Sequence, residues 1–557
     1  MRFPLRFCVQ VFRRLVPLAA GLGCFPALGA APSWGDQGDG TYRNPVLNGD
    51  FADADVERRG DTWYLITSTN HLAPGMTILE SKDLVNWRYT GHVWPTLSWK
   101  PAYDWPEMNG YSWGVWAGDL AQRDGEWLCY MIDKTAGLYV SKARDIHGPW
   151  SAPTCVLAVE NWTDPAVYFG ERTKEAWLVC HAGKDATTGR NDLRLFKLSW
   201  DGTRLLDEGR AIFQGDGVEA PKIHRIGERW YVMAIEWRGK GKTRDRQQLC
   251  FRSTTDSIAG PYEAKTVLMR ATDEDRSACQ GSLVQVPSTG EWWYLHQLVQ
   301  NGTPVFQGRP QCLEPVTWQD GWPVIGEVTE PGGVGQPVAS HRKPLNGPAD
   351  FSLATSDEFS APVLGAQWNW NHNPRAERWS LAARPGWLRL GASHPVRTPA
   401  PAQEFWRAPN TLSQRHLGVA AGRVETRLDL AGLRPGAFTG LCHFSADYAL
   451  CGVRVSADGR RQLVVRLNGV EALASAPAGQ ALLLRSDWSG DDAAFSISTD
   501  GATWTRIGAA FKLTFGNWRG DRPGLFCFNS LTDDAVAAGC ADFDYFRCDE
   551  VRSLPTK

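Results

Sequence analysis

The chain has 557 residues, 43% hydrophobic and 22% charged, with a formal net charge of −2. That length suits two or three domains, and the near-neutral balance argues against a nucleic-acid groove or a polybasic membrane patch. The 27 Trp, 56 Gly and 34 Pro favour strands joined by turns, with most of the Trp expected in the core and a minority free to stack on sugars.

Residues 1–30 read as a signal peptide. Arg2, Arg6, Arg13 and Arg14 precede the apolar stretch from Leu15 to Leu28, and Ala27, Gly29, Ala30 and Ala31 offer cleavage sites. The stretch is too short for a membrane anchor and is broken by Pro17 and Pro26. Gly21-Leu22-Gly23 before Cys24 fits a lipoprotein signal poorly. No other segment reads as a membrane span, so the expected location is periplasmic or secreted. Setting aside Cys8 and Cys24 leaves 11 of the 13 cysteines, an odd and scattered set rather than a disulfide framework. A few disulfides, Cys442 with Cys451 among them, are compatible with an oxidising compartment. With no CxxC pair and no His-rich cluster, no structural zinc site is expected.

From residue 40 to 338, short alternating runs punctuated by Gly, Asp and Asn predict an all-β fold. They form a degenerate repeat of roughly 45–65 residues, the length of a propeller blade. Units open near Asp53, Trp116, Asp164, Glu219 and Gln280. Each continues through a polar turn into an aromatic strand: Trp63-Tyr64-Leu65, Trp127-Leu128-Cys129-Tyr130, Trp177-Leu178-Val179, Trp230-Tyr231-Val232 and Trp292-Trp293-Tyr294-Leu295. Five such units predict a five-bladed β-propeller whose innermost strands deliver residues to a channel mouth. Three of those openings carry a carboxylate: Asp53, Asp164 and Glu219. A repeat that sets one acid at the same place in successive units gathers them around one axis, which is the equipment for cleaving a glycosidic bond.

Each acid has a plainer reading. Asp164-Pro165 is a common turn initiator. Asp55, two residues from Asp53, shares its strand face and is a rival for its role. Glu219 is a charge between Val218 and Ala220, which is unusual for a structural position.

Pro331 to Pro337 and the polar stretch after it predict a linker over 339–350. Beyond it, residues 351–551 predict a β-sandwich, from Asp357-Glu358-Phe359 to Asp542-Phe543-Asp544-Tyr545-Phe546. Within it, Ser498-Thr499-Asp500-Gly501 is expected to be a tight turn.

At these residues the chain resembles glycoside hydrolase family 43, the β-xylosidase and α-L-arabinofuranosidase family. The resemblance rests on Asn44-Pro45-Val46-Leu47 followed by Asp53-Ala54-Asp55-Val56, on Ser81-Lys82-Asp83-Leu84-Val85-Asn86-Trp87, and on the run from Leu313 to Ile325. Trp368-Asn369-Trp370-Asn371-His372-Asn373 and Trp379-Ser380-Leu381 look like the concanavalin-A-like β-sandwich that follows the propeller in the β-xylosidase branch. The resemblance implies Asp53 as general base, Glu219 as general acid and Asp164 as the residue that orients and tunes the pKa, and it chooses Asp53 over Asp55. It implies that Arg309 contacts the sugar, a surface arginine being the competing reading. Trp116 is a candidate stacking face or blade core, and His71 and Met76 lie in a loop that shapes the sugar pocket in related enzymes. The sandwich is expected to brace the propeller and to lend that pocket a loop.

One departure bears on metals. Many relatives have a His before the Gln-Gly of the fifth blade, often beside a calcium ion; here Cys279 precedes Gln280-Gly281. A thiol is a poor partner for a hard cation, so no metal and no cofactor are expected. The function these features imply is an exported, inverting, exo-acting hydrolase. It would release terminal xylose or arabinofuranose from plant cell-wall oligosaccharides such as xylan and arabinan. The alternative is a non-catalytic glycan-binding protein on the same fold. A retaining fructan hydrolase would carry a Trp-Met-Asn-Asp-Pro-type opening, which is absent.

Overall fold

The computed structural model describes residues 34–550 apart from 240–244, 274, 300–305, 331, 348–350, 399–400 and 419–420. The signal peptide expected over residues 1–30 lies outside the described residues. The rest is almost entirely strand.

Five four-stranded antiparallel sheets follow one another in chain order. Their first strands are Asp55–Arg59, Gly118–Arg123, Thr163–Gly170, Val218–Ile226 and Ser277–Val286. Each of these touches the next, and the fifth touches the first, so the sheets stand as blades round a closed cycle. The second strands hold the blades together. Trp127 is buried with Ile66 and Met76 of the preceding blade, and Trp293 with Val56 and Leu65 of the first. Trp230 packs edge-on to Tyr168, at 4.7 Å between ring centroids. The repeated tryptophans are core, as their strand context requires.

The segment before the first blade closes the ring. The Tyr42 hydroxyl donates to the Leu313 carbonyl at 2.6 Å, and Asn44 Nδ2 donates to the same carbonyl at 3.0 Å. The stretch read as a linker is partly structured: Ser340–Arg342 pairs with Thr41–Arg43.

The second unit is two packed sheets of eight and seven strands. The eight-stranded sheet ends in a strand that the propeller supplies. Leu72–Ala73, from a loop of the first blade, pairs with Asn369–Asn371. The Asn369 amide spans the same boundary, donating to the Pro74 carbonyl at 2.9 Å and accepting from Arg522 at 2.7 Å. Ser498 to Thr503 forms a turn in which Asp500 accepts from the Ala502 and Thr503 amides.

The pairing of Cys442 with Cys451 does not form. Cys442 stands opposite Leu450 and Cys451 opposite Leu441, so the thiols face opposite sides of the sheet and belong to different apolar clusters. Every cysteine among the described residues is a free thiol.

Candidate active site

Asp53, Asp164 and Glu219 line one cavity of about 240 Å³ at an end of the propeller channel. A shared backbone device puts them there. Asp53 has φ 56°, Asp164 φ 55°, and Ala220, the residue after Glu219, φ 56°. The pairing register shifts between Thr163 and Ala166 and again between Glu219 and Lys222. Gln280 repeats the pattern at φ 58°, with a register shift between Cys279 and Gly281. The three register shifts are bulges that turn a side chain out of the ladder, and Asp53 takes the same conformation in the turn before its strand, one most non-glycine residues avoid.

Asp53 is held by three partners. Arg309 Nη1 donates to Oδ1 at 2.6 Å, the Ser68 hydroxyl donates to Oδ2 at 2.7 Å, and the Asp53 amide donates to Gln297 Oε1 at 2.8 Å. Asp164 accepts from the Thr163 hydroxyl at 3.0 Å and the Ala220 amide at 3.1 Å. Behind it, His181 Nδ1 lies 2.8 Å from the Thr163 hydroxyl and the Asn191 amide lies 2.6 Å from His181 Nε2, an arrangement that suits the Nδ1–H tautomer. Trp237 Nε1 donates to Glu219 Oε1 at 2.7 Å. Burial, then Glu219, then Asp53 push the Asp164 carboxyl up to about 7.

Below these carboxylates the channel is crossed by an ion cluster. Lys222 Nζ lies 2.8 Å from Asp55, 2.9 Å from Asp119 and 3.0 Å from the Gly118 carbonyl. Asp55 also accepts from the Ser282 hydroxyl and the Leu120 amide. Asp55 is therefore committed to Lys222 and lines a different cavity from Asp53.

Of the expected sugar contacts, Arg309 and Trp116 line the cavity. Arg309 is only 5% exposed, which rules out a surface role. Its Nη2 donates to the Trp518 carbonyl at 2.9 Å. Trp116 donates its indole N–H to the Ser112 carbonyl, with Lys134 Nζ 5.3 Å from its ring centre. His71 and Met76 are not brought to the cavity. His71 is fully buried where the two units meet, with Tyr111 at 4.4 Å, His372 at 4.6 Å and Asn371 Oδ1 at 3.1 Å from its Nε2. Met76 packs in the core shared by the first two blades.

The residues missed from sequence include Ser68, Thr163, Trp237, Gln297 and Trp518. Trp518 belongs to the sandwich and reaches the cavity on the loop from Gly516 to Arg522. Asn517 and Trp518 have φ of 53° and 60°. Nothing in the local sequence links that loop to a propeller 200 residues away.

Residues 42–323 match the family model for glycosyl hydrolases family 43, and residues 356–549 match that of the β-xylosidase C-terminal concanavalin A-like domain. The chain belongs to glycoside hydrolase family 43. It is a glycosidase of the family's β-xylosidase and arabinofuranosidase group. A β-xylosidase of Formosa agariphila is 44% identical over 93% of this chain and 92% of its own. A non-reducing end α-L-arabinofuranosidase of Bacteroides ovatus is 29% identical over 63% of this chain and 65% of its own. Among solved structures, a bifunctional GH43-CE protein of Bacteroides eggerthii superposes with a TM-score of 0.78 at 27% identity, covering 95% of this chain and 64% of that longer one. No helix among the described residues is long and apolar enough to cross a membrane.

Cys279 is buried against Ala220, Ile235 and Val299, and burial pushes its thiol up to about 12.

Proposed function

We propose that this family 43 member is an exported, inverting, exo-acting glycosidase that removes terminal xylose or arabinofuranose from plant cell-wall oligosaccharides. The carrying observation is the convergence of Asp53, Asp164 and Glu219 on one cavity walled by residues from both units. Asp53, fixed by Arg309 and Ser68, takes a proton from a water molecule as that water attacks the anomeric carbon. Glu219 gives its proton to the glycosidic oxygen, and the leaving alcohol departs from the opposite face. One C–O bond forms as the other breaks, so the configuration inverts.

Asp164 holds the charge balance of the site. Three carboxyl groups around one small cavity cannot all ionise cheaply, so the cluster retains a proton for Glu219 to donate. Trp237 fixes the Glu219 carboxyl by donating to its Oε1. A cavity of about 240 Å³ is below the roughly 300–1,000 Å³ of drug-sized sites, which favours a single terminal sugar over an internal stretch of chain. Xylose is the first sugar to test, since the relative at 44% identity is named a β-xylosidase. The basic, then apolar, start of the chain supports export.

The test is release of 4-nitrophenol from its β-D-xyloside and α-L-arabinofuranoside, with the first-formed anomer read by NMR. Turnover with inversion, abolished in Glu219→Gln while sugar binding persists, supports the reading. A parent protein that binds glycans without cleaving them would move the assignment to a lectin.

A further inference from the structure

The sandwich holds a second convergent cluster that the glycosidase chemistry does not use. His416 Nε2 lies 2.8 Å from Asp521 Oδ2, and His443 Nδ1 lies 2.7 Å from that same oxygen. The three candidate ligand atoms are all within 4.8 Å of one another, and all three side chains are buried. On its far side, His443 Nε2 is 2.8 Å from the Ser486 hydroxyl. A cavity of about 270 Å³ opens on this cluster, lined by His443 and Asp521.

We propose that His416, His443 and Asp521 form a binding site for one divalent transition-metal ion, with zinc the best match. Two imidazoles and a carboxylate are the ligand set that zinc takes, and the cavity offers water for a fourth position. Two rings aimed at one oxygen define a point of convergence. Among the described residues, Asp521 Oδ1 accepts no hydrogen bond, so the carboxylate keeps further lone pairs to offer. On binding, the proton that His443 Nδ1 donates to Asp521 is displaced, and the ring takes the tautomer with its proton on Nε2, donated to Ser486 as the outer contact that fixes a ligating ring. The nitrogen-to-oxygen spacings must open to about 3.3 Å for a tetrahedral ion with bonds of roughly 2.0–2.1 Å, a movement of about half an ångström.

The other three-residue cluster, His296, Cys312 and Glu314, does not compare. Glu314 is spent on the Val338 amide at 2.7 Å and on Asn44 at 3.1 Å. Nor does Ser486-His443-Asp521 make a hydrolytic triad, because Ser486 is fully buried and a nucleophile must be reached. The metal position has a structural consequence: Asp521 closes the loop that carries Trp518 into the active site. An ion here would stiffen that wall from behind.

The experiment uses the full mature chain without a polyhistidine tag, stripped with chelator and titrated with Co²⁺. One equivalent should bind with visible bands of a four-coordinate nitrogen and oxygen site, and without sulfur charge-transfer bands. Zn²⁺ should displace it and raise the melting temperature by several degrees. His416→Gln and His443→Gln should lose the signal, while Asp447→Asn, on the cavity rim, should keep it. No uptake by the parent, sulfur-type bands, or equal uptake by the His variants overturns the proposal. If the His variants do not fold, the parent decides alone: an unshifted melting temperature with saturating Zn²⁺ overturns it too.

Discussion

The Gly520 amide of the sandwich donates to Asp50 Oδ2 of the propeller at 2.9 Å. The other Asp50 oxygen accepts from the Arg309 amide at 3.0 Å. One carboxylate thus fixes both the arginine that grips Asp53 and the loop that presents Trp518. The Arg309 guanidinium repeats the link, bridging Asp53 and the Trp518 carbonyl. The active site is assembled from two units through these two side chains.

Asp50→Ala would strand two buried amides, at a cost of about 1–3 kcal/mol each. We expect a lower melting temperature and reduced kcat/KM on nitrophenyl xyloside, since Arg309 and Trp518 both lose their anchor. Unchanged kinetics would show that the loop holds its place by other means.

Trp518→Ala removes a cavity wall without touching a carboxylate. We expect KM to rise about tenfold, near 1.4 kcal/mol, with a smaller change in kcat. Initial-rate kinetics separate the two. A kcat loss alone would point instead to a disturbed Asp53–Arg309 pair.

On the proposed mechanism, the acid cluster should set the alkaline limit of activity. With Asp164 raised to about 7 by burial and its acidic neighbours, protons leave the cluster as pH climbs through neutrality. Activity should therefore fall on that side. Asp164→Asn removes one negative neighbour from Glu219, and the alkaline limb of the kcat/KM profile should move to lower pH. A limb that stays in place would count against Asp164 as the tuning residue.

Lys222 is the fourth test. Its ammonium is the shared partner of Asp55 and Asp119, and burial pushes Asp119 up to about 7 even against that pull. Lys222→Met leaves two buried carboxylates without their cation, a loss of about 3–5 kcal/mol measurable by urea unfolding. The variant should recover part of that loss at acid pH, where the carboxylates are protonated.

Glu57, beside the same cluster, adds a pH dependence of the same sign to the stability of the parent protein. Burial, then Asp55, raises its carboxyl to about 8. The folded state favours the neutral acid, so this contribution is complete below about 4.5 and fades as pH rises towards 8. Glu57→Gln should flatten the fall in melting temperature across that interval. A profile that keeps the parent's slope would reject the assignment.

The strands and the three acids were legible because period-2 alternation and a repeated acid position survive in the linear text. The left-handed backbone positions that aim the acids were not, since Asp53, Asp164 and Ala220 carry no glycine to advertise a positive φ. His71 was misplaced for a related reason: its loop neighbours the pocket in sequence, but the sandwich covers it. Cys442 and Cys451 looked pairable until strand register set them on opposite faces. Trp518, and the grouping of His416, His443 and Asp521, depend on contacts between distant segments that no local spacing encodes.

Leu72–Ala73 serves as the outermost strand of a sheet whose other members lie three hundred residues downstream. An evolutionary exchange of the carboxyl-terminal half with another lineage would leave that sheet with a mismatched border. Engineers seeking chimaeras of this enzyme should graft the first-blade loop around Leu72–Ala73 together with the sandwich it borders.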